Sequence, residues 1–210
     1  MGNQNPPSIA VLRSGGQCDT RTIPSGTVLW RVHLTRAPHP TPWNSLRTWG
    51  PVPGVRWEPH PLPLSDHAPL GVAYLGFDVP TCLAEVFQDT RFIDTSRNVP
   101  YATAISLPRD LLLADLETPW LLRTGASARI VSGSKDRTSA WAAPIHEAWP
   151  ELDGLVARSA VIGGRDVVSL WTDGAFPVAP ESSLPLNHPG LVARISAAAK
   201  LIGYEINVIA

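Results

Sequence analysis

Residues 70–89, LGVAYLGFDVPTCLAEVFQD, form the stretch that decides the predicted fold. The first seven residues are apolar or small, which predicts a buried β-strand over 70–76. Asp78 can cap a helix, and Pro80 fits its first turn, so the run CLAEVFQD is predicted to be helical. A strand, a tight turn and a helix in this order indicate a fold that mixes strands and helices.

Short apolar runs on both sides of this unit predict more elements. Upstream, the run TVLWRVHL over 27–34 predicts a strand that carries Arg31 and His33 on one face. Further strands are predicted over 101–107, 111–116, 152–160, 167–171 and 205–209, with a hairpin-type turn at 163–166. Helices are predicted over 118–122, 138–149 with Pro144 inside it, and 189–202 between an Asn187 cap and Gly203. We therefore predict an α+β fold with central mixed or antiparallel sheets.

Length and composition favour one compact domain. The chain has 210 residues, of which 44% are hydrophobic and 17% charged, enough to build a core. Residues 1–26 are polar and punctuated by Gly and Pro, which predicts a loosely attached N-terminal arm before a domain over 27–210. The net charge of −1 provides no broad basic field, so direct nucleic-acid binding is disfavoured.

Cysteine and histidine usage argues against a metal or disulfide framework. Cys18 and Cys82 are far apart and belong to no CxxC motif, and the six histidines lack metal-ligand spacing. We predict no metal site and a reducing, cytoplasmic location. No signal-peptide pattern and no long apolar run is found, so neither export nor membrane insertion is expected.

The 22 prolines and 8 tryptophans are the unusual feature of the composition. Residues 36–69 are too rich in proline for regular structure and predict a long loop. Trp43, Trp49 and Trp57 are predicted to pin this proline-rich loop to the body of the domain.

Polar residues on otherwise apolar elements are the candidates for a site. Nucleotide-binding glycine motifs and the common hydrolase motifs are absent from the sequence. Burying a polar group without a partner costs about 1–3 kcal/mol, so such residues need a reason. The candidates are Arg31, Arg56, Tyr74, Glu85 and Ser159.

The pieces that hold these residues occur in a characteristic order. WRVH, GVRW, VAYLG, CLAEVF and DGLVARSA follow one another between about residues 28 and 171. This ordered set resembles the RES-domain family, toxins of bacterial toxin–antitoxin pairs. The family pattern has a glycine pair before the arginine and an asparagine after the tryptophan, whereas this chain has Val55 and Glu58 at two of those positions.

The resemblance implies both a fold and an activity. It implies a fold similar to ADP-ribosyltransferase toxins, and destruction of NAD by hydrolysis or phosphorolysis of its nicotinamide–ribose bond. NAD is then a substrate, with inorganic phosphate as an optional co-substrate, and no resident cofactor is implied. A cognate antitoxin of the Xre type, a helix-turn-helix protein, is the implied partner.

Roles for the candidates follow from the same resemblance. Glu85 would stabilise the positive charge that develops on the ribose, with Arg31 and Ser159 as further catalytic residues. Arg31 and Arg56 would bind the diphosphate or an attacking phosphate. Tyr74 would stack on the nicotinamide, and Ser159 would fix its amide or the ribose.

Two other functions stay open at this stage. The same cleft would serve an ADP-ribosyltransferase that modifies a protein acceptor. Alternatively, the chain is a non-catalytic protein-binding module whose Trp- and Pro-rich loop is the contact surface. Taken singly, each candidate also fits an ordinary role in the fold, for example Tyr74 in core packing and Ser159 as a strand-end hydroxyl.

Overall fold

The computed structural model describes residues 8–37, 40–125 and 135–207. Its helices are Ile9–Ser14 (α1), Val79–Val86 (α2), Trp120–Arg123 (α3), Lys135–Ala148 (α4) and Pro189–Ile202 (α5). Its strands are Thr20–Ile23 (β1), Val28–Leu34 (β2), Trp49–Gly50 (β3), Ser65–Asp66 (β4), Ala73–Gly76 (β5), Phe92–Ile93 (β6), Pro100–Ser106 (β7), Leu111–Asp115 (β8), Gly154–Arg158 (β9), Asp166–Leu170 (β10), Ser182–Pro185 (β11) and Glu205–Ile206 (β12).

Eight strands form one large mixed sheet. Its order is β1-β8-β9-β10-β5-β2-β7-β11, and every neighbouring pair is antiparallel except β8 and β9. The parallel pair requires a crossover, and the chain between these two strands includes α3 and α4. The hairpin predicted at 163–166 is confirmed, because β9 and β10 pair directly. The α+β class with a mixed sheet is therefore confirmed.

Tryptophans and small aliphatic residues build the core. Trp120 and Trp141 are fully buried, and Trp149 contacts Trp120 edge to face with ring centroids 5.4 Å apart. A separate cluster lies between α2 and α5, where Leu83 packs with Ile195. These contacts hold α2 on the sheet.

Within the described residues, no helix combines the length and the apolar character needed to cross a bilayer.

The start of the described chain is attached to the domain. Leu12 of α1 is fully buried and packs against α4. Strand β1 is an edge strand of the large sheet, and its Arg21 forms ion pairs with Asp115 and Asp166. Residues 8–26 of the predicted loose arm are thus integrated into the fold by apolar burial and strand pairing. Residues 1–7 of that arm lie outside the described residues.

The proline-rich loop is mostly irregular, as predicted, but only part of its predicted anchoring occurs. Trp57 is buried, and Trp43 contacts Phe176 edge to face at 6.4 Å. Trp49 is 51% exposed, so its predicted anchoring role is wrong. It lies on β3, which pairs with the two-residue strand β4 in a separate small sheet. Residues 38–39 of the loop lie outside the described residues.

The C-terminal helix has the predicted bounds but a different cap. His188, not Asn187, is the N-cap residue, and its Nδ1 accepts a hydrogen bond from the Gly190 N–H at 3.1 Å. Gly203 ends the helix at φ 71°, a conformation that glycine adopts without steric cost. The predicted strand over 205–209 is confirmed at Glu205–Ile206, residue 207 is outside the strand, and residues 208–210 lie outside the described residues.

Candidate active site

A cavity of about 470 Å³ opens between β2, β5, α2 and the proline-rich loop. Its volume lies in the range of small-molecule pockets, roughly 300–1,000 Å³. Four of the five predicted residues line it, namely Arg31, Arg56, Tyr74 and Glu85. The fold therefore brings residues that are far apart in sequence to one cavity.

The unit formed by β5 and α2 positions two of these residues. Tyr74 lies on β5 and Glu85 near the end of α2, and Asp78 separates the two elements. The Asp78 Oδ1 accepts hydrogen bonds from the Thr81 N–H at 2.8 Å and from the Thr81 hydroxyl at 2.7 Å. This cap starts the helix immediately after the strand, so both side chains face the same cavity.

Glu85 is held by a short hydrogen bond. The Ser159 hydroxyl donates to Glu85 Oε1 at 2.5 Å. Burial raises the pKa of Glu85, whereas the Ser159 hydrogen bond and the charges of Arg56 and Lys135 partly offset that rise. Glu85 is thus a half-buried carboxyl group with a raised pKa and basic groups nearby, a combination that often marks a functional site.

Ser159 contacts Glu85, and the Ser159 hydroxyl makes as many hydrogen bonds as it can. Besides donating to the carboxylate, its Oγ accepts from the Val161 N–H at 3.2 Å and the Ile162 N–H at 3.0 Å. A serine hydroxyl has one proton and two lone pairs, so all three are occupied. Its neighbours Arg158 and Ala160 line the cavity directly. The structure therefore connects Ser159 to the cavity through Glu85.

Arg31 joins the cavity to the proline-rich loop. It is 6% exposed, and its Nη1 donates to the carbonyl oxygens of Pro42, Trp43 and Ser45 at 2.8–3.0 Å. Burial lowers the pKa of Arg31 to about 10, so the guanidinium stays charged at neutral pH. The Arg31 Nη1 thus holds the proline-rich loop, and Arg31 also lines the cavity.

Arg56 enters the cavity from the proline-rich loop. The next residue, Trp57, has φ 55°, a left-handed conformation that is uncommon outside glycine. Its carbonyl accepts a hydrogen bond from the Ser169 hydroxyl of β10 at 2.7 Å, and its ring is buried. Burial lowers the pKa of Arg56, and the Glu85 carboxylate opposes that shift. Anchoring of Trp57 thus fixes the chain next to Arg56.

Tyr74 has a buried hydroxyl close to a residue that the sequence did not indicate. The pKa of Tyr74 is raised by burial, and the charge of the nearby Arg47 guanidinium offsets only part of that rise. Arg47 lines the cavity and donates from Nη1 to Glu58 Oε1 at 2.7 Å. Nothing in its local sequence distinguishes Arg47 from an exposed loop arginine, since its role depends on a residue eleven positions later.

Two more cavity residues were outside the predicted set. Lys135 is the first residue of α4 and forms an ion pair with Asp89 at 3.1 Å. His33 follows Arg31 on the same face of β2, as the alternation predicted, and its Nε2 lies 3.0 Å from the Thr103 hydroxyl. Burial, and then the charge of Arg31, lowers the pKa of His33 to about 4, so the imidazole is neutral at pH 7.

The charges around the cavity are unequal. Among the described lining residues, the basic side chains are Arg31, Arg47, Arg56, Lys135 and Arg158, and the acidic ones are Glu85 and Asp89. Arg158 is paired outside the cavity with Glu117 and Asp166. Mostly basic side chains around the half-buried Glu85 carboxylate suit a ligand that is anionic in one part and has a cationic reacting centre in another.

Comparison with protein families agrees with this arrangement of residues. A family model described as the RES domain matches residues 28–187, a span that contains all five predicted site residues. The chain belongs to the RES-domain family. The resemblance inferred from the ordered motifs is thereby confirmed.

The fold of this RES domain is similar to that of a solved toxin–antitoxin structure. A chain in the crystal structure of the M. tuberculosis MbcT–MbcA toxin–antitoxin complex superimposes with a TM-score of 0.57 at 17% sequence identity. The alignment covers 90% of this chain and 96% of that one. No curated protein matches the chain.

Proposed function

We propose that this RES domain is the toxin of a toxin–antitoxin pair and that it cleaves the nicotinamide–ribose bond of NAD. The observation that carries the proposal is the Glu85 carboxylate, held by Ser159 in a cavity whose other charged lining is mostly basic. NAD combines the matching features, an anionic diphosphate and a cationic nicotinamide ribosyl group.

The arginines provide the binding part of the proposal. Arg31 and Arg56 line the same cavity, and both guanidinium groups are partly or fully buried. Guanidinium groups bind phosphate oxygens through paired N–H donors, and removal from water strengthens such contacts. We propose that the diphosphate binds against these two residues and that the Tyr74 ring stacks on nicotinamide.

Glu85 provides the chemical part. When the C1′–N bond breaks, its electron pair moves to the pyridinium nitrogen and neutral nicotinamide leaves. The ribose carbon then carries positive charge, which a neighbouring carboxylate stabilises. The oxygen of water or of inorganic phosphate forms the new bond to C1′. With water, the products are nicotinamide, ADP-ribose and one proton.

The antitoxin is the proposed partner. A solved structure with the same fold is a toxin–antitoxin complex, and family resemblance implies an Xre-type antitoxin for this chain. Because uncontrolled loss of NAD would kill the host, we propose that the antitoxin covers the cavity.

The test is incubation of the purified protein with NAD, with and without phosphate, followed by mass analysis of the products. We expect free nicotinamide together with ADP-ribose in water, or with a phosphorylated ADP-ribose when phosphate is the acceptor. Glu85→Gln keeps a hydrogen-bond acceptor for Ser159 but removes the charge. We expect it to lower turnover by roughly 10²- to 10³-fold.

Three outcomes would contradict the proposal. Unchanged turnover in folded Glu85→Gln would remove Glu85 from the reaction. Nicotinamide release accompanied by a mass gain of ADP-ribose on proteins would indicate transfer to a protein acceptor. Absence of nicotinamide release under all conditions, with stable capture of a partner protein, would indicate a binding module.

A further inference from the structure

Glu58 is a fully buried carboxylate outside the proposed reaction. It follows Arg56 and Trp57 in the proline-rich loop and is 0% exposed. Its Oε1 accepts hydrogen bonds from Arg47 Nη1 and His60 Nδ1, each at 2.7 Å, and its Oε2 accepts from the Val52 N–H at 3.0 Å. A charge that is buried this deeply is tolerated only when it is paired and hydrogen-bonded.

The partners of Glu58 extend across the second half of the loop. The Arg47 backbone pairs with Val72, immediately before β5, through two hydrogen bonds of 2.9 Å. The second ring nitrogen of His60, Nε2, contacts the Leu70 carbonyl at 3.2 Å. The Glu58 carboxylate therefore connects residue 47, residue 52 and the approach to β5, which is the strand that carries Tyr74.

Gly50 shows how tightly this cluster is packed. A Cβ atom at position 50 would lie 2.1 Å from Glu58 Oε1 and 2.1 Å from His60 Nδ1. No side chain can be placed there without displacing the pair. The backbone at Gly50 thus lies directly against the Glu58 carboxylate and the His60 ring.

The cluster lies two residues from Arg56. Arg56 lies between Val52 and Glu58 in the chain. The Val52 N–H donates to the Glu58 carboxylate, so this hydrogen bond joins the loop on both sides of Arg56. The buried Trp57 ring between them adds a third constraint. We propose that Glu58 is a positioning residue, which fixes the loop so that the Arg56 guanidinium is presented to a diphosphate ligand in the cavity.

This inference rests on the proposed function to the extent that Arg56 binds phosphate oxygens of the ligand. Glu58 contacts Arg47 and His60 and acts on the ligand through the loop. Its loss is therefore expected to weaken ground-state and transition-state binding equally. Such a change raises KM and leaves kcat nearly unchanged.

The test compares Glu58→Gln with Asp153→Asn. Asp153 likewise accepts hydrogen bonds from an arginine, Arg109 at 2.8 and 2.6 Å, and from a backbone N–H, that of Leu112 at 2.9 Å. It is not one of the described residues that line the cavity, so it controls for the loss of a carboxylate in general. KM and kcat for nicotinamide release, the affinity for inorganic pyrophosphate and the melting temperature are measured for both variants.

We expect Glu58→Gln to raise KM for NAD and weaken pyrophosphate binding roughly tenfold, with kcat within about threefold of wild type. Hydrogen exchange should increase in peptides over residues 47–60. Asp153→Asn should lower the melting temperature without changing KM or pyrophosphate affinity. If Glu58→Gln does not fold, His60→Asn, which keeps a donor for Glu58 and loses the Leu70 contact, should show the same pattern to a smaller extent.

The outcomes separate this inference from the proposed function. Unchanged KM and pyrophosphate affinity in a folded Glu58→Gln protein would overturn the positioning role. Wild-type protein that releases no nicotinamide, but whose pyrophosphate binding still weakens in Glu58→Gln, would contradict NAD cleavage and support positioning. Wild-type protein that binds no pyrophosphate would overturn the role assigned here to Arg56 and Glu58 together.

Discussion

At the scale of single residues, the Ser159–Glu85 contact should control the ionisation of the carboxylate. Ser159→Ala removes a hydrogen bond that favours the charged form, so the pKa of Glu85 should rise further. Because the proposed reaction requires ionised Glu85, the acid limb of the kcat/KM profile should move to higher pH. The loss of kcat/KM in Ser159→Ala should therefore be larger at acidic than at neutral pH.

Ser159→Thr is the matched control for this prediction, because it keeps the hydroxyl. Its acid limb should stay close to that of the wild type. An acid limb that does not move in folded Ser159→Ala would show that the hydroxyl does not tune Glu85.

The charged form of Glu85, which the proposed reaction uses, should lower the stability of the fold. A carboxyl group whose pKa is raised by folding contributes stability below its unfolded pKa, and that contribution is lost as pH rises through the folded value. The stability contributed by Glu85 therefore falls as pH rises through the folded pKa. Glu85→Gln should melt at a temperature no lower than wild type at pH 7, and the difference should shrink near pH 4. A clearly lower melting temperature for the variant at pH 7 would contradict this account.

At the scale of one element, the Asp78 cap should determine the stability of α2, the helix that carries Glu85. Asp78 accepts from the Thr81 N–H and hydroxyl, and its Oδ2 pairs with Arg165 at 2.8 Å. Asp78→Ala should lower the free energy of unfolding by about 1–2 kcal/mol in denaturant titrations, because the first turn loses its acceptor.

Asp78→Asn separates the cap from the ion pair. Asparagine caps a helix about as well as aspartate, and the Arg165 side chain is 47% exposed, so its pair contributes little. Asp78→Asn should therefore retain most of the stability. Equal losses in both variants would place the effect in the ion pair.

At the scale of the whole molecule, ligand binding should stabilise the fold, because the cavity is built from β2, β5, α2 and the loop together. A ligand at a hundred times its Kd contributes about 2.7 kcal/mol, which corresponds to a rise in melting temperature of roughly 5–10 °C for a domain of this size. NAD should produce this shift in Glu85→Gln, whose strongly reduced turnover leaves NAD intact during the measurement. Adding Arg56→Ala to that variant should reduce the shift, and an equal shift in the double variant would exclude Arg56 from binding.

Local sequence patterns determined much of this protein. The strand, cap and helix from β5 to α2, the β9–β10 hairpin and the extent of α5 follow from hydrophobic periodicity and from capping, turn and proline chemistry, all of which act over a few residues. The ordered motifs also indicated the residues of the candidate site. Arg31, Arg56, Tyr74 and Glu85 line one cavity, and Ser159 contacts Glu85.

Only the tertiary structure decided the rest, since the deciding contacts join residues distant in sequence. The parallel pairing of β8 with β9 and the burial of Leu12 depend on long-range packing, which no local period reports. The same holds for Arg47 and Glu58. A charged loop residue is buried only where the fold brings a partner to it. Here the fold brings Arg47 and Glu58 together as an ion pair.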